Sequence, residues 1–383
     1  MIVITDLYFD ESTNSVHLKG TQIHFLKKEF DLFYFLYKNP NHTFTRNELL
    51  DAVWAMESPS DRTVDDHIYR IRKKLKMTPS PVGIKTIKGR GYQLVIDLND
   101  DKKSPLFDDQ EFQEISAKLI KKYHLYGQGE AIETILQLKS FGIEKNNDSF
   151  VTYSLIKGDF QALIQNTKIE FPQRLLLLLY LYSWSVGNRN AALTYYYQAI
   201  KKHNLTNESD SEATLLAPIF FTIYAKEFSA AQAAINKAEL SITEAHQGLY
   251  PFLQITKLML ALCEGEKSEV ERLITTTESF LNKNQYDREI GFFLVLKGLF
   301  SIQYGNKIEG RDLVDEGIEI TRKTRFVSNI LLVVDTCIFY LRNGIEDPIT
   351  YKKVRQEWSF LSDEYKLKSL GRETEMQLLD ILS

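Results

Sequence analysis

Two cysteines in 383 residues, Cys263 and Cys337, are too few and too far apart for a disulfide framework or a thiolate metal site. They suit a reducing compartment. Histidines are as sparse: seven, scattered along the chain, with no HExxH pair among them. No GxSxG, P-loop or CxxC pattern occurs, so an enzyme reading finds no footing and no cofactor or metal is expected. Long hydrophobic runs are missing too. The longest, "LLLLLYLYSW" and "NILLVVDTCIFYL", fall well short of the ~20 residues that a membrane helix needs. The opening "MIVITDLYFDE" lacks the basic and apolar segments of a secretion signal. These absences predict a soluble cytoplasmic protein without a catalytic centre. Its length predicts at least two domains, and an apolar content of 44% is enough for sizeable cores.

Net charge is only −4, but it is unevenly spread. Residues 1–100 carry 14 Lys/Arg against 13 Asp/Glu, whereas the remainder carries 33 against 38. Within residues 62–92 stand nine cations: Arg62, Arg70, Arg72, Lys73, Lys74, Lys76, Lys85, Lys88 and Arg90. Only two anions accompany them, Asp65 and Asp66. A basic patch focused on a near-neutral domain suits contact with phosphate backbones; a solvated helix face is the plainer alternative.

Periodicity favours the first reading. In "SDRTVDDHIYRIRKKLK" (60–76), Val64, Ile68, Ile71 and Leu75 fall on one helical stripe. Arg62, Asp66, Tyr69 and Lys73 then project from the opposite face, flanked by Arg70 and Arg72. A helix that packs one face and offers Arg, Asp, Tyr and Lys on the other suits the major groove of double-stranded DNA. "GIKTIKGRGYQLVI" (83–96) follows as a hairpin whose tip holds Lys88 and Arg90, with Gly89 and Gly91 free to take positive φ. Upstream, "TRNELLDAVW" opens with a capping box of Thr45 and Glu48. "KKEFDLFYFLYKNP" is an apolar helix stopped at Asn39-Pro40, and three short strands precede it. The expected order is three strands, three helices and a hairpin. Asp65 is expected to hold a neighbouring cation or the helix start, and Tyr92 to lie in the core.

On "KEFDLFYFLYKNP", "TRNELLDAVW", "DRTVDDHIYRIRKKL" and "IKTIKGRGYQL", residues 2–96 resemble the winged-helix DNA-binding domain of the OmpR/PhoB type. The resemblance implies that Arg62, Thr63, Tyr69 and Arg70 line the DNA-facing helix. It also implies phosphate contacts from Trp54, His67, Arg72 and Thr86, and that Lys88 belongs to the wing. Trp54 and His67 equally suit a plug between helices. The loop 55–61, "AMESPSD", falls where this family contacts RNA polymerase. Three departures stand out: Leu26-Lys27 replaces a usual Thr-Pro pair, Asp66 replaces an apolar residue, and Tyr69 replaces a frequent cation. Because the chain opens directly on the winged helix, control without aspartyl phosphorylation is expected.

The fold class expected is an α+β winged helix-turn-helix domain over 1–98, a linker over 99–110, and an all-α tetratricopeptide-like solenoid over 111–383. The linker rests on the polar run "DLNDDKKSPLFDDQ". Beyond it, only Pro172, Pro218, Pro251 and Pro348 interrupt helical periodicity. Similar segments start at positions 187 ("GNRNAALTYYYQAIKKHN"), 226, 265 and 305, an almost even step along the chain. Their resemblance to tetratricopeptide repeats implies a stacked binding surface. The first helices of the later pairs are apolar on two faces, as with Phe292 and Val295 against Phe293 and Leu296. The second face needs a cover: a tight superhelix, a second protomer or an apolar ligand. Gln254, Lys257, Phe292, Val295, Lys297 and Asn329 are the ligand-groove candidates, although Lys257 and Lys297 equally suit pairing with acids of neighbouring helices.

A DNA-binding head on such a body is similar in logic to peptide-pheromone receptors of the Rap/Rgg/PlcR type. That resemblance implies a one-component transcription regulator, a short peptide or protein ligand, and a homodimer. The alternative is a protein–protein adaptor with constitutive DNA tethering and no small ligand.

Overall fold

A computed structural model describes residues 7–18, 21–40, 42–54, 61–76, 82–87, 90–96, 104–137, 141–143, 147–203, 212–244 and 248–383. The chain folds as two compact units that part between Pro105 and Leu106, with residues 138–142 grouped with the first.

The first unit, the head, begins with an antiparallel sheet of β1 (Leu7–Asp10), β2 (Ser15–Leu18) and β3 (Thr21–His24). Phe9 points from it onto α1 (Lys27–Lys38), where its ring meets Phe30, Phe33, Tyr34 and Tyr37 at 4.8–5.6 Å. Leu26, at the start of α1, has no side-chain acceptor, so only half of a capping arrangement forms. Its backbone N–H donates to Glu29 Oε2 at 3.0 Å. The buried Glu29 also takes the Lys74 ammonium at 2.6 Å, tying α1 to α3.

A second sheet has the order β4-β6-β5, from β4 (Thr43–Phe44), β5 (Val82–Ile87) and β6 (Gly91–Ile96). Strand β4 is absent from the order expected from sequence. So short a segment carries no period, and only the pairing of Thr43 with Gln93 and of Phe44 with Tyr92 makes it a strand. Gly91 is indispensable there. Its φ is +138°, and a Cβ would sit 1.9 Å from the Phe44 carbonyl oxygen. Between these strands lie α2 (Arg46–Val53) and α3 (Asp61–Leu75). The capping box of α2 forms: Glu48 N–H donates to Thr45 Oγ1, and Thr45 N–H donates to Glu48 Oε2 at 2.7 Å.

The second unit, the body, is helical throughout the described residues. After a 3₁₀ turn (Pro105–Asp108) come α4 (Gln110–Leu125), α5 (Gly129–Gln137), α6 (Asn147–Lys157) and α7 (Phe160–Gln165). Pairs follow: α8 (Phe171–Ser185) with α9 (Arg189–Lys202), α10 (Ala217–Tyr224) with α11 (Phe228–Glu239), and α12 (Tyr250–Glu264) with α13 (Lys267–Asn284). Then come α14 (Asp287–Tyr304) with α15 (Lys307–Lys323), α16 (Val327–Arg342) with α17 (Pro348–Glu364), and α18 (Leu367–Leu382). The second helices of successive pairs thus begin at Arg189, Phe228, Lys267 and Lys307, in step with the repeat starts read from the sequence.

Two features close this body. Helices α14 and α15 approach along a glycine seam. A Cβ on Gly298 would lie 2.6 Å from the Gly310 carbonyl oxygen, and one on Gly317 would lie 2.5 Å from that of Gly291. The chain also folds back on itself: α18 packs on α7, α8 and α9, and α16 on α6. Inside, the Tyr224 hydroxyl meets Thr336 Oγ1 at 2.7 Å, and the Tyr340 hydroxyl donates to the Met259 carbonyl at 2.5 Å. Arg189 reaches Asp335 at 2.7 Å with its guanidinium over Tyr224. The second apolar face of α12, α14 and α16 is therefore covered by the chain itself: Leu260, Phe293, Leu296 and Phe339 are all buried.

Candidate nucleic-acid interface

Helix α3 is about 22 Å long at 1.5 Å per residue. Val64, Ile68, Ile71 and Leu75 are all buried, and they anchor it on α1, α2 and β5. Arg62, Asp66, Tyr69 and Lys73 share the opposite, exposed face, and Arg70 is exposed beside them. Tyr69 keeps 66% of its surface exposed, high for an aromatic side chain. The side chains of Arg62, Arg70, Lys73, Lys76, Lys85 and Arg90 make no hydrogen bond or ion pair among the described residues.

The other side of α3 is pinned. Arg46 on α2 grips Asp65 through two bonds, Nε to Oδ1 at 2.8 Å and Nη2 to Oδ2 at 3.1 Å. The Tyr92 hydroxyl donates to the same carboxylate at 2.6 Å. The Tyr92 ring lies near both the Arg46 and the Arg72 guanidinium, at 5.4 and 5.6 Å. The Arg46 hydrogen bonds hold the Asp65 carboxyl below its ordinary value against the cost of burial. Burial, and then donation to Asp65, push the Tyr92 hydroxyl up. At Glu29 burial works to raise the carboxyl, but Lys74 and the Leu26 N–H outweigh it and leave it lowered.

The structure thus divides the basic cluster. Arg72, expected at a phosphate, donates to the Ile84 carbonyl at 2.9 Å and to Thr86 Oγ1 at 2.8 Å. Arg72 and Thr86, two residues assigned to DNA, are bonded to each other and staple α3 to the wing strand β5. Trp54 is 3% exposed and packs edge-on against His67 at 5.1 Å. His67 Nδ1 faces the Thr63 carbonyl at 2.7 Å. Trp54 and His67 therefore form the helix–helix plug, and Thr63 is half-buried beside them. Lys88 and the loop 55–60 lie outside the described residues.

Sequence reasoning missed Arg46 and Lys28 as supports of this face. Lys28 donates to the Val53 carbonyl at 2.8 Å, with its ammonium over Trp54. Arg46 and Asp65 stand on different helices, and no local pattern marks such a pair.

Of the ligand-groove candidates, Phe292 and Val295 are core residues at 3% and 0% exposure, and Gln254 is buried. Lys257 pairs with Glu239, and Lys297 with Glu278, each at 2.6 Å. These five do not meet in one open groove. Asn329 alone of the six lines the large cavity of the body.

Residues 20–94 match the sequence profile of the family "Transcriptional regulatory protein, C terminal". With the geometry above, they are a winged-helix domain of the OmpR/PhoB DNA-binding type. The phosphate regulon transcriptional regulatory protein PhoB of Rhizobium meliloti is 39% identical over 90 residues, 23% of this chain and 40% of that protein. The heme response regulator HssR of Staphylococcus epidermidis is 34% identical over the same shares. The transcriptional regulatory protein ResD of Bacillus subtilis is 37% identical over 25% of this chain and 41% of its own length. The chain thus spans about 40% of the length of these relatives. Among solved structures, the DNA binding domain of E. coli CadC is 30% identical, covers 24% of this chain and 87% of that one, and has a TM-score of 0.23. No helix among the described residues is long and apolar enough to cross a membrane.

Proposed function

We propose that this chain is a sequence-specific DNA-binding transcription regulator. One observation carries the reading: α3 buries a complete apolar stripe and turns Arg62, Asp66, Tyr69, Arg70 and Lys73 outward with no ion pair among the described residues. Unpaired cations on a braced helix are what a polyanion meets, and Arg62 and Asp66 supply base-edge chemistry. The names of the relatives, transcriptional and response regulators, support the same reading. Arg90 extends the exposed basic surface to the wing, and Lys88 is proposed as a further wing contact. The protein acts in the cytoplasm without catalysis of its own, as a homodimer, and the 55–61 loop is the proposed RNA polymerase contact.

We infer further that the body is a tetratricopeptide-like solenoid that carries the input, either a ligand or a second copy. The even stepping of its second helices, from Arg189 through Phe228 and Lys267 to Lys307, supports this. A short peptide in the repeat groove has little support, because Phe292 and Val295 are packed away. A second reading, a protein–protein adaptor, draws on Ile115 and Leu119, one turn apart on α4 and 56% and 42% exposed.

Footprinting with Arg62→Ala tests the regulator reading. Binding to the protected sequence should weaken by about 1–3 kcal/mol while binding to random DNA changes little. Equal loss on both would reduce Arg62 to a backbone contact. Salt-sensitive, sequence-blind binding by the unaltered chain would favour the adaptor.

A further inference from the structure

Within the body, α4, α6, α8, α12, α14 and α16 surround a cavity of about 1130 Å³. Protein interiors rarely keep voids larger than a water molecule, and ligand sites occupy about 300–1,000 Å³. The wall is aromatic and aliphatic, with Phe160, Tyr180, Trp184, Phe252, Phe326 and Leu332 around it.

Polar groups on this wall lack partners. The Tyr180 hydroxyl and the Trp184 indole N–H, stacked one turn apart on α8, make no hydrogen bond among the described residues. At the α14 end, Arg288 and Glu289 also line the cavity. Arg288 Nη2 lies 3.6 Å from Glu289 Oε1, Nη1 lies 3.2 Å from His124 Nε2, and the guanidinium sits over Phe326. Yet Arg288 Nε and Glu289 Oε2 are buried and unpartnered. Buried orphans of this kind cost free energy and call for an explanation such as an absent ligand. Burial holds the Glu289 carboxyl raised and the His124 imidazole lowered.

We propose that this cavity binds a small amphipathic organic molecule with an apolar body and a hydrogen-bond-accepting oxygen group, such as a carboxylate or a carbonyl. The commitment rests on the Tyr180 O–H and the Trp184 N–H, which make no hydrogen bond among the described residues, and on the positive charge of Arg288 at the α14 end, set in an apolar wall that also carries Asn329. The rim carries both signs, Lys118 and Lys121 against Glu114 and Asp148, so selection falls to the interior. A peptide would bring an N–H with almost every carbonyl and would leave its own donors short of acceptors. As a binding site the cavity depends on the body alone; as a regulatory input it rests on the regulator reading above.

The test uses the full chain and anilinonaphthalene sulfonate, an anionic aromatic dye, followed by fluorescence. Saturable binding at one dye per chain is expected, with displacement by decanoate. Tyr180→Phe and Trp184→Phe keep the wall and remove one donor each, and each should weaken dye binding about five-fold. Leu332→Trp should narrow the cavity and weaken dye binding while the melting temperature is kept. Unsaturable binding, or binding unchanged in the two conservative variants, overturns the site. Displacement by short peptides and not by decanoate overturns the ligand class. DNA binding measured on the same samples separates the claims: dye saturation without DNA binding leaves the cavity standing and removes the regulator.

Discussion

On α3 of the head, Arg62, Arg70 and Lys73 make no ion pair among the described residues, whereas Lys257, Lys297 and Lys353 of the body each meet a carboxylate oxygen at 2.6 Å. Two of these body pairs run alike. Lys257 on α12 reaches back to Glu239 on α11, and Lys297 on α14 reaches back to Glu278 on α13. Each joins the first helix of one pair to the second helix of the pair before. In the body, charge is part of how repeats stack. In the head, internal partners take up Lys28, Arg46, Arg72 and Lys74, while Arg62, Arg70 and Lys73 on α3 face outward. A cation with a partner reports architecture; a braced surface that keeps its cations unpaired leaves them open to an external anion.

The sharpest way to break this comparison is to destroy the body and ask whether the head survives. Gly298→Val puts side-chain atoms where the Gly310 carbonyl oxygen already lies, so overpacking should cost the body about 3 kcal/mol. Circular dichroism should show the helical transition at lower temperature, with DNA binding by the head retained at room temperature. Loss of both together would mean that the two units fold as one.

Next in size is Asp347. Its carboxylate accepts two bonds from Arg311, at 2.6 and 3.0 Å, and caps α17 through the Thr350 N–H. Arg311 above all holds it well below the usual carboxylate range. Its folded pKa is thus depressed relative to about 3.9 in the unfolded chain. The resulting stability is present in full above that value and is lost as pH falls below it. Asp347→Asn should therefore cost about 2 kcal/mol at pH 7. Its melting temperature should also fall less than that of the parent between pH 5 and pH 3. An identical acid profile would show that Asp347 does not govern it.

Arg90→Ala sharpens the head side. It should weaken binding to all DNA sequences and reduce the salt slope by about 1, as one lost phosphate contact requires. An unaltered slope in a titration from about 50 to 200 mM salt would place the wing tip away from DNA.

The smallest effect is expected at Lys297→Ala. Its pair with Glu278 is partly exposed, so removing it should cost at most about 0.5 kcal/mol and leave DNA affinity untouched. A larger loss would give the body's ion pairs more weight than this comparison assigns them.

Local patterns made much of the molecule legible. The Val64–Leu75 stripe, the Thr45–Glu48 box and the hairpin are all written within a few residues, and the even step of the body can be counted along the chain. The residues that brace the interface were not legible. Arg72 and Arg70 are equally basic neighbours, but only Arg72 faces Ile84 and Thr86, and that follows from where β5 lies. Trp54 suited either a phosphate or a core, and only the position of His67 across the junction places it inside. The glycines of α14 and α15 look like weak helix formers in sequence; their purpose emerges only when Gly298 meets Gly310.

By itself the sequence determined the α3 amphipathicity, the separation of a head with a focused basic patch from a helical body, and the even spacing of similar segments in that body, because each depends on spacing along one chain. It left open what covers the second apolar face of the body. Tertiary structure decided that, by bringing α16 against α10 and α12 and α18 against α8. Such contacts join residues from distant parts of the chain, as Tyr224 and Thr336 are joined. No local period encodes them, since they depend on how helices far apart in sequence come to pack against one another. The same long-range packing leaves the cavity between α4 and α16, with Tyr180 and Trp184 on its wall.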